Sequence, residues 1–298
     1  MRKPPPDYSL DLVLHPAHDT GYKHFENSAS NPFQPNPATD FPRVNAWWLA
    51  DAALLTYWNP ADAIPIFRNA GFECEFVTAD STDCYVASQR DWVVVAFRGT
   101  EPDAWQDILT DVNIVLVPWQ TGLVHLGFKN AFDLMRPALD PILKRLAPGR
   151  TLWFCGHSLG AALATLAADH YAARGVCTFG SPRVGDLVFA NAFNKKLSGK
   201  TLRYVNDHDV VTHVPLPIGY GHVDARRFIA PDGTVSGGRP SIPHFFEDLI
   251  GRPRQLLEVI DGLRSGTLQT APTFLLDHMP KAYAIWTWND YDANHSSR

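Results

Sequence analysis

The stretch LWFCGHSLGAALATLAAD, residues 152–169, limits the fold more than any other part of the chain. Leu152, Trp153, Phe154 and Cys155 form a continuous apolar run, the pattern of a strand buried on both faces. From Leu159 onward the alanines and leucines are strong helix formers, with no breaker before Gly175. A strand that passes directly into a helix leaves Ser158 at the apex of a tight turn. Gly156 and Gly160 flank it without β-carbons, so strand and helix can approach closely while the serine takes a strained, exposed conformation. The spacing predicts a nucleophile elbow. A plain strand-to-helix turn capped by serine would ask nothing of the rest of the chain, whereas a nucleophile needs a base and an acid elsewhere in it.

The composition sets the frame for that search. A chain of 298 residues, 45% hydrophobic and 19% charged, is expected to carry one large core. The net charge is −5 and the basic pairs Lys195-Lys196 and Arg226-Arg227 stand apart, which argues against a nucleic-acid surface. The first residues, MRKPPPDYSLDLVLHP, have prolines where a signal peptide has its apolar core, and no apolar run is long enough to span a bilayer. The expectation is a soluble protein, cytoplasmic or exported by an unrecognised route. Four cysteines make no disulfide framework. Cys155 and Cys177 fall in expected core strands, while Cys74 and Cys84 flank an expected hairpin and either pair or, more simply, stay reduced. The twelve histidines include no H-E-x-x-H, and His15/His18 and His208/His213 are incomplete ligand sets, so neither metal nor organic cofactor is expected.

Residues 1–44 are proline-rich and irregular, an expected strap over a single domain spanning 45–298. Asn45 is placed to cap a helix through AWWLADAALLTYW, ended by Asn59-Pro60, and a second short helix should close at Gly71. Residues 72–97 read as three antiparallel strands with turns at Asp80-Ser81 and Arg90-Asp91. A helix near 127–146, a strand at 151–155, the elbow helix, a strand at 175–179, a helix near 186–197 and a strand at 201–205 then alternate. A late hairpin turns at Asp232-Gly233, and the C-terminal part should be mainly helical. Alternating strands and helices imply parallel strands covered on both faces. The sum is an α/β-hydrolase architecture: a mixed sheet, antiparallel at the start and parallel through the elbow.

A serine hydroxyl attacks well only when a base takes its proton and a carboxylate orients that base, in the chain order Ser, acid, His for this architecture. Downstream of Ser158, the strand TLRYVN ends in Asp207-His208-Asp209, and either aspartate lies at the edge of the sheet where the elbow sits. The candidate bases are His213, His222, His244 and His278. The first two are close to the acid's own loop. His244 sits in the proline-bordered PSIPHFF, and His278 sits in a loop ahead of a helix expected to start at Pro280.

Several segments taken together resemble the class 3 lipase family, which includes the filamentous-fungal triacylglycerol lipases. VVVAFRGT (93–100), VHLGF (124–128), GHSLGAALATL (156–166), TFGSPRVGD (178–186), the YVNDHDVV region and Asp277-His278 follow the family in order. The resemblance covers roughly residues 70–288. It implies Ser158 as nucleophile, Asp209 as acid and His278 as base, although the family usually has proline where Thr212 stands. An oxyanion formed on attack needs preorganised N–H donors. One is the Leu159 amide at the positive end of its helix. The other, by resemblance, is Thr100 in the turn Arg98-Gly99-Thr100, with Arg98 expected in a structural salt bridge beneath it.

After Thr100, Pro102 suits the first turn of a helix in which Trp105, Ile108, Leu109 and Val112 share one face. Asp103, Gln106, Asp107 and Asp111 fall on the other face. An amphipathic helix beside the oxyanion turn, at the place of the family's lid, is expected to gate substrate access. The resemblance thus implies a serine ester hydrolase working through an acyl-enzyme on acylglycerols or other lipid esters, in transient contact with a lipid interface. Phospholipase A1 and short-chain esterase are the alternatives within that chemistry. A catalytically silent lipase-like binding protein is the alternative outside it, and oligomeric state is left open.

Overall fold

The computed structural model describes residues 1–7, 9, 11–12, 15–38, 40–99, 115–223, 225–237 and 273–295. Its central sheet has the order β1-β2-β3-β6-β7-β8-β9-β10. Strands β1 (Glu73–Ala79), β2 (Thr82–Ser88) and β3 (Trp92–Phe97) are antiparallel, as their short turns require. From β3 the sheet runs parallel through β6 (Thr151–His157), β7 (Gly175–Phe179), β8 (Thr201–Asn206) and β9 (Arg226–Ile229). The hairpin partner β10 (Val235–Gly237) closes that edge after the turn at Gly233, whose φ is +79°. A separate two-stranded ribbon pairs β4 (Leu116–Pro118) with β5 (Leu123–His125).

Strands buried on both faces explain the unbroken apolar runs. Along β3, Val93, Val95 and Phe97 join one core cluster while Val94 and Ala96 join the other. Along β6, Leu152 and Phe154 alternate in the same way with Trp153 and Cys155. The first cluster is covered by α3 (Leu126–Leu146) and α4 (Leu159–His170), the second by α1 (Arg43–Leu55) and α7 (Pro280–His295). Helix α3 continues through Pro137 and Pro141. Its buried Phe128, Phe132, Met135, Leu139, Leu143 and Leu146 contribute about 1.5–3 kcal/mol each. Together they outweigh two interior prolines at about 3 kcal/mol apiece. The remaining helices are α2 (Pro60–Asn69), α5 (Leu187–Lys196) and the single turn α6 (Thr273–Leu276). Cys74 and Cys84 are free thiols on different rungs of the β1–β2 ladder, where Cys74 faces Ala87 and Cys84 faces Val77.

Asn45 does not cap α1. Pro42 enters in extended backbone, the helix starts at Arg43, and Asn45 falls in its buried first turn. There its amide accepts from the Gln34 N–H and donates to the Gln34 carbonyl, both at 2.8 Å. One side chain thereby satisfies both backbone groups of a residue in the N-terminal segment, as a strand partner would. Asp51, one helical turn and a half further on, takes hydrogen bonds from the Tyr22 hydroxyl and the Phe25 N–H, and burial raises its pKa to about 6. The same segment reaches α7. Lys3 exchanges hydrogen bonds with the Asn289 side chain, Trp288 Nε1 donates to the Met1 carbonyl, and Asp19 pairs with Lys281.

Asn45→Ala should leave both Gln34 groups without partners. The expected loss is about 1–3 kcal/mol, seen as a lower urea midpoint with an unchanged m-value.

Candidate active site

The elbow forms because backbone replaces side chains on both sides of it. A β-carbon on Gly156 would strike the Gly160 carbonyl and lie 2.8 Å from the Ala161 nitrogen. One on Gly160 would strike the Phe97 carbonyl oxygen and lie 2.8 Å from the carbonyl carbon of Arg98. Helix α4 can therefore rest directly on β6 and on the end of β3. Between them Ser158 has φ +58° and ψ −127°, a left-handed conformation that costs a non-glycine residue about 1–3 kcal/mol. Its N–H donates to the Phe179 carbonyl at 3.0 Å, fixing the apex against the end of β7.

Strand β8 ends at Asn206, and Asp209 follows after a turn in which Asp207 has φ +28°. Of the two aspartates, Asp209 is the one that meets His278, with both carboxylate oxygens 2.9 Å from Nδ1. Both residues are fully buried. A carboxylate only accepts, so His278 Nδ1 carries the proton, and Nε2 holds the lone pair whenever the ring is neutral. Asp209 also accepts from the Tyr283 hydroxyl at 2.5 Å and from the Val211 N–H at 2.9 Å. Burial first, and then the Asp209 charge, holds the Tyr283 phenol well above its ordinary pKa. Tyr283 therefore stays a donor. Asp207 instead takes the Nδ1 of its neighbour His208 at 2.5 Å.

The other candidate bases stand elsewhere. His222 is half-buried, with Nε2 donating to the Thr212 carbonyl at 2.6 Å and its pKa held well below the usual value by desolvation. His213 lends its carbonyl to the Arg183 guanidinium at 2.5 Å, and His244 lies outside the described residues. His15 stacks on His18, whose Nδ1 is 3.1 Å from Asp11. Among the described residues, Asp207, His208 and Asp277 offer ligand atoms within 4.8 Å of one another, the one set there with the spacing of a metal site. In this structure they bond to each other, as the His208 N–H also donates to Asp277 at 3.2 Å.

Leu159 opens α4, so its N–H is among those without an intrahelical acceptor. The turn before it ends the described stretch at Gly99. Arg98 makes the expected ion pair with Asp83 at 3.0 Å. Thr100 and the expected lid residues Trp105, Ile108, Leu109 and Val112 lie outside the described residues.

Other residues of the site were not singled out from the sequence. Gly180 has φ +58°, and a β-carbon on it would lie 2.7 Å from Asp209 Oδ2 and 2.9 Å from His278 Nδ1. Its place in the TFGSPRVGD motif was the available signal. Asn206 donates its amide to the Asp277 carbonyl at 2.9 Å and its N–H to the Tyr283 oxygen at 3.1 Å, tying β8 to the segment that bears His278.

Residues 94–218 match the family described as Lipase (class 3). That segment is similar to class 3 lipases. The chain is 34% identical over 162 residues to a secreted mono- and diacylglycerol lipase of Malassezia restricta, an alignment covering 48% of this chain and 54% of that one. To a phospholipase A1 of Oryza sativa subsp. japonica it is 33% identical over 184 residues, covering 49% and 45%. The chain spans about half the length of the curated relatives it matches. The solved mono- and diacylglycerol lipase from Aspergillus oryzae shares the α/β-hydrolase fold, with a TM-score of 0.61 at 22% identity over 83% of this chain and 100% of that one. The class 3 lipase segment thus contains the elbow, β7, β8 and Asp209, while His278 comes from beyond it.

Asp277 sits next to His278 under the combined influence of burial, Asp207 and Asp209, and its pKa is raised to about 7. A carboxyl with a raised folded pKa binds more protons folded than unfolded, so its contribution to stability is present at low pH and is lost as pH rises from about 4 to about 7. The melting temperature should therefore decline across that window, and the decline should be shallower in Asp277→Asn. Parallel slopes in the two proteins would contradict this assignment.

Proposed function

We propose that this chain is a serine carboxylic-ester hydrolase acting on acylglycerols through an acyl-enzyme. The observation that carries the reading is the buried Asp209–His278 pair, with both carboxylate oxygens 2.9 Å from Nδ1, beside a serine held at a left-handed elbow. In this mechanism His278 Nε2 removes the Ser158 proton as Oγ attacks the ester carbonyl, and Asp209 stabilises the imidazolium that results. The amides of Leu159 and Thr100 receive the oxyanion. Collapse expels the alcohol, which takes its proton from His278, and a water activated by the same nitrogen then releases the fatty acid and frees the serine.

Contact with a lipid surface is supported by aliphatic side chains exposed at the same end of the sheet. Leu187 and Val188, in the first turn of α5, are 64% and 57% exposed, and Ile218, beyond β8, is 78% exposed. The backbone bridges Val124–Gly185 and Gly185–Gly221 join these segments to the β4–β5 ribbon, whose Leu123 is exposed as well. The substrate is taken to be an acylglycerol because the relative from Malassezia restricta is described as a mono- and diacylglycerol lipase. Phospholipase A1 activity is the second reading, favoured by the relative from rice. The description of the fungal relative as secreted favours action outside the cell over the cytoplasmic alternative. Among the described residues no helix is long and apolar enough to cross a membrane.

Ser158→Ala should fold with the native melting temperature and lose about 1,000-fold or more in hydrolysis, together with all labelling by an organophosphonate. Rates on mono-, di- and triacylglycerol emulsions beside phosphatidylcholine vesicles separate the two substrate readings. Comparable turnover in the serine variant would contradict both.

The segment 102–112 is proposed to act as a lid. Exposing Trp105, Ile108, Leu109 and Val112 to water costs about 1.5–3 kcal/mol for each side chain that is fully buried when closed, and a lipid surface offsets that cost. Activity on a sparingly soluble ester should rise abruptly when droplets form. Replacing Trp105 and Leu109 by serine should flatten that rise and increase the rate on dissolved short esters. Smooth saturation through the solubility limit in both proteins would contradict lid gating.

A further inference from the structure

The imidazole of His157 is fully buried immediately before the elbow, and both of its nitrogens are engaged. Nε2 is 2.7 Å from the backbone carbonyl oxygen of His278, and Nδ1 is 2.7 Å from the Tyr57 hydroxyl. A carbonyl oxygen only accepts, so Nε2 carries the ring's proton. Burial, and then the charge of His278, holds the ring's pKa well below its ordinary value, so there is one proton and no more. Nδ1 is therefore an acceptor, and Tyr57 donates to it. The two imidazoles face each other with centroids 4.4 Å apart and planes inclined by 36°.

Tyr57 reaches a third segment. A β-carbon at Gly99 would collide with its hydroxyl and would come within 2.8 Å of the His157 carbonyl oxygen and 3.2 Å of Ser158 Cβ. Two buried hydrogen bonds in series thus join Tyr57 through His157, the residue before the elbow, to the main chain of His278, and the Tyr57 hydroxyl packs against the turn at Gly99.

We propose that Tyr57 and His157 are positioning residues that lock the backbone of His278 to the elbow and to the turn at Gly99, so that base, nucleophile and oxyanion donors keep one register through turnover. The proposal rests on the hydrolase reading of Ser158, Asp209 and His278. Asp209 holds the His278 ring at Nδ1, and the bond from His157 to the carbonyl ties the residue's main chain to the elbow. The direction of the chain matters for charge. A hydroxyl that donates to Nδ1 occupies the site where a second proton would bind, so His157 stays neutral beside the imidazolium that His278 becomes during the reaction. A second cation 4.4 Å away in a buried site would oppose that step.

The test compares His157→Leu, His157→Gln and Tyr57→Phe with the native chain, using a soluble p-nitrophenyl ester, organophosphonate labelling of Ser158 and thermal melting. His157→Leu should reduce kcat and the labelling rate together by roughly 10- to 100-fold, the scale of an ångström-level misplacement, with KM within about twofold of native. His157→Gln restores a donor to the His278 carbonyl and should recover most of that loss. Tyr57→Phe should lower kcat at native melting temperature and native KM, and it carries the test alone if the leucine variant does not fold. Native kcat in Tyr57→Phe or in folded His157→Leu, a glutamine variant no better than leucine, or losses that only follow the melting temperature would each overturn the proposal. Failure of the hydrolase reading shows up differently, as a native chain that neither turns over the ester nor takes the phosphonate. Nitrogen-15 spectra of the histidines then decide: a neutral His157 with its proton on Nε2 from about pH 5 to pH 8 supports the locked tautomer, and a titrating ring or an Nδ1 proton overturns it.

Discussion

The site depends on a contact between main chains. Where Gly160 lies against Phe97 and Arg98, and Gly156 against Gly160, no side chain separates α4 from the sheet. That approach forces the strand-to-helix transition into a single residue, and Ser158 takes the left-handed conformation as a result. The cost at one residue is small beside the apolar surface that α4 buries along Ala162, Leu163, Leu166 and Ala167. The helix start, the strained serine and the end of β3 are consequences of the same pair of glycines. This is why the proposed nucleophile and the Leu159 amide lie against the end of β3.

Electrostatics at the site follow from burial and from which partners are allowed to carry protons. Asp209 is fully buried, yet each of its oxygens is met by a donor: His278, a tyrosine that stays protonated, and a main-chain N–H. These donors satisfy the buried carboxylate and keep both of its oxygens within 2.9 Å of His278 Nδ1. His157 and His222 point the opposite way. Both remain neutral and spend their N–H groups on carbonyls of the segments that carry His278 and Asp209. Of the histidines between Ser158 and the C-terminal helix that the structure describes, His278 is the one paired with a fully buried carboxylate.

The elbow was legible in the sequence because the physics that makes it is local. Gly156, Ser158 and Gly160 lie within five residues, and the apolar run before them and the alanine-rich run after them declare strand and helix. The sheet was legible for a similar reason, since short turns enforce antiparallel pairing and alternation of strand and helix enforces the parallel part. What depends on side chains meeting across long separations was not legible. Asn45 looks like a helix cap until the structure places Gln34 against it. Tyr57 looks like the end of a helix and Tyr283 like part of one, and neither position announces that its hydroxyl reaches a histidine or an aspartate. Position alone left Asp207 and Asp209 open and the family resemblance favoured Asp209; the physical reason lies in the turn at Asp207, which leaves one carboxylate with His208 and the next with His278.

The bonds between the first residues and α7 bear on how the site comes into being. Lys3 and Asn289 are 286 residues apart in the chain, and Asp19 pairs with Lys281, three residues past His278. Closing so long a loop adds little free-energy cost, since that cost grows only with the logarithm of length. Its effect is on time, because contacts of such separation form after local structure has already condensed. The elbow, built from neighbours, can assemble early, whereas the helix behind His278 is held in place by a segment far earlier in the chain. Full reactivity of Ser158 would then mark the end of folding and lag behind the appearance of the sheet.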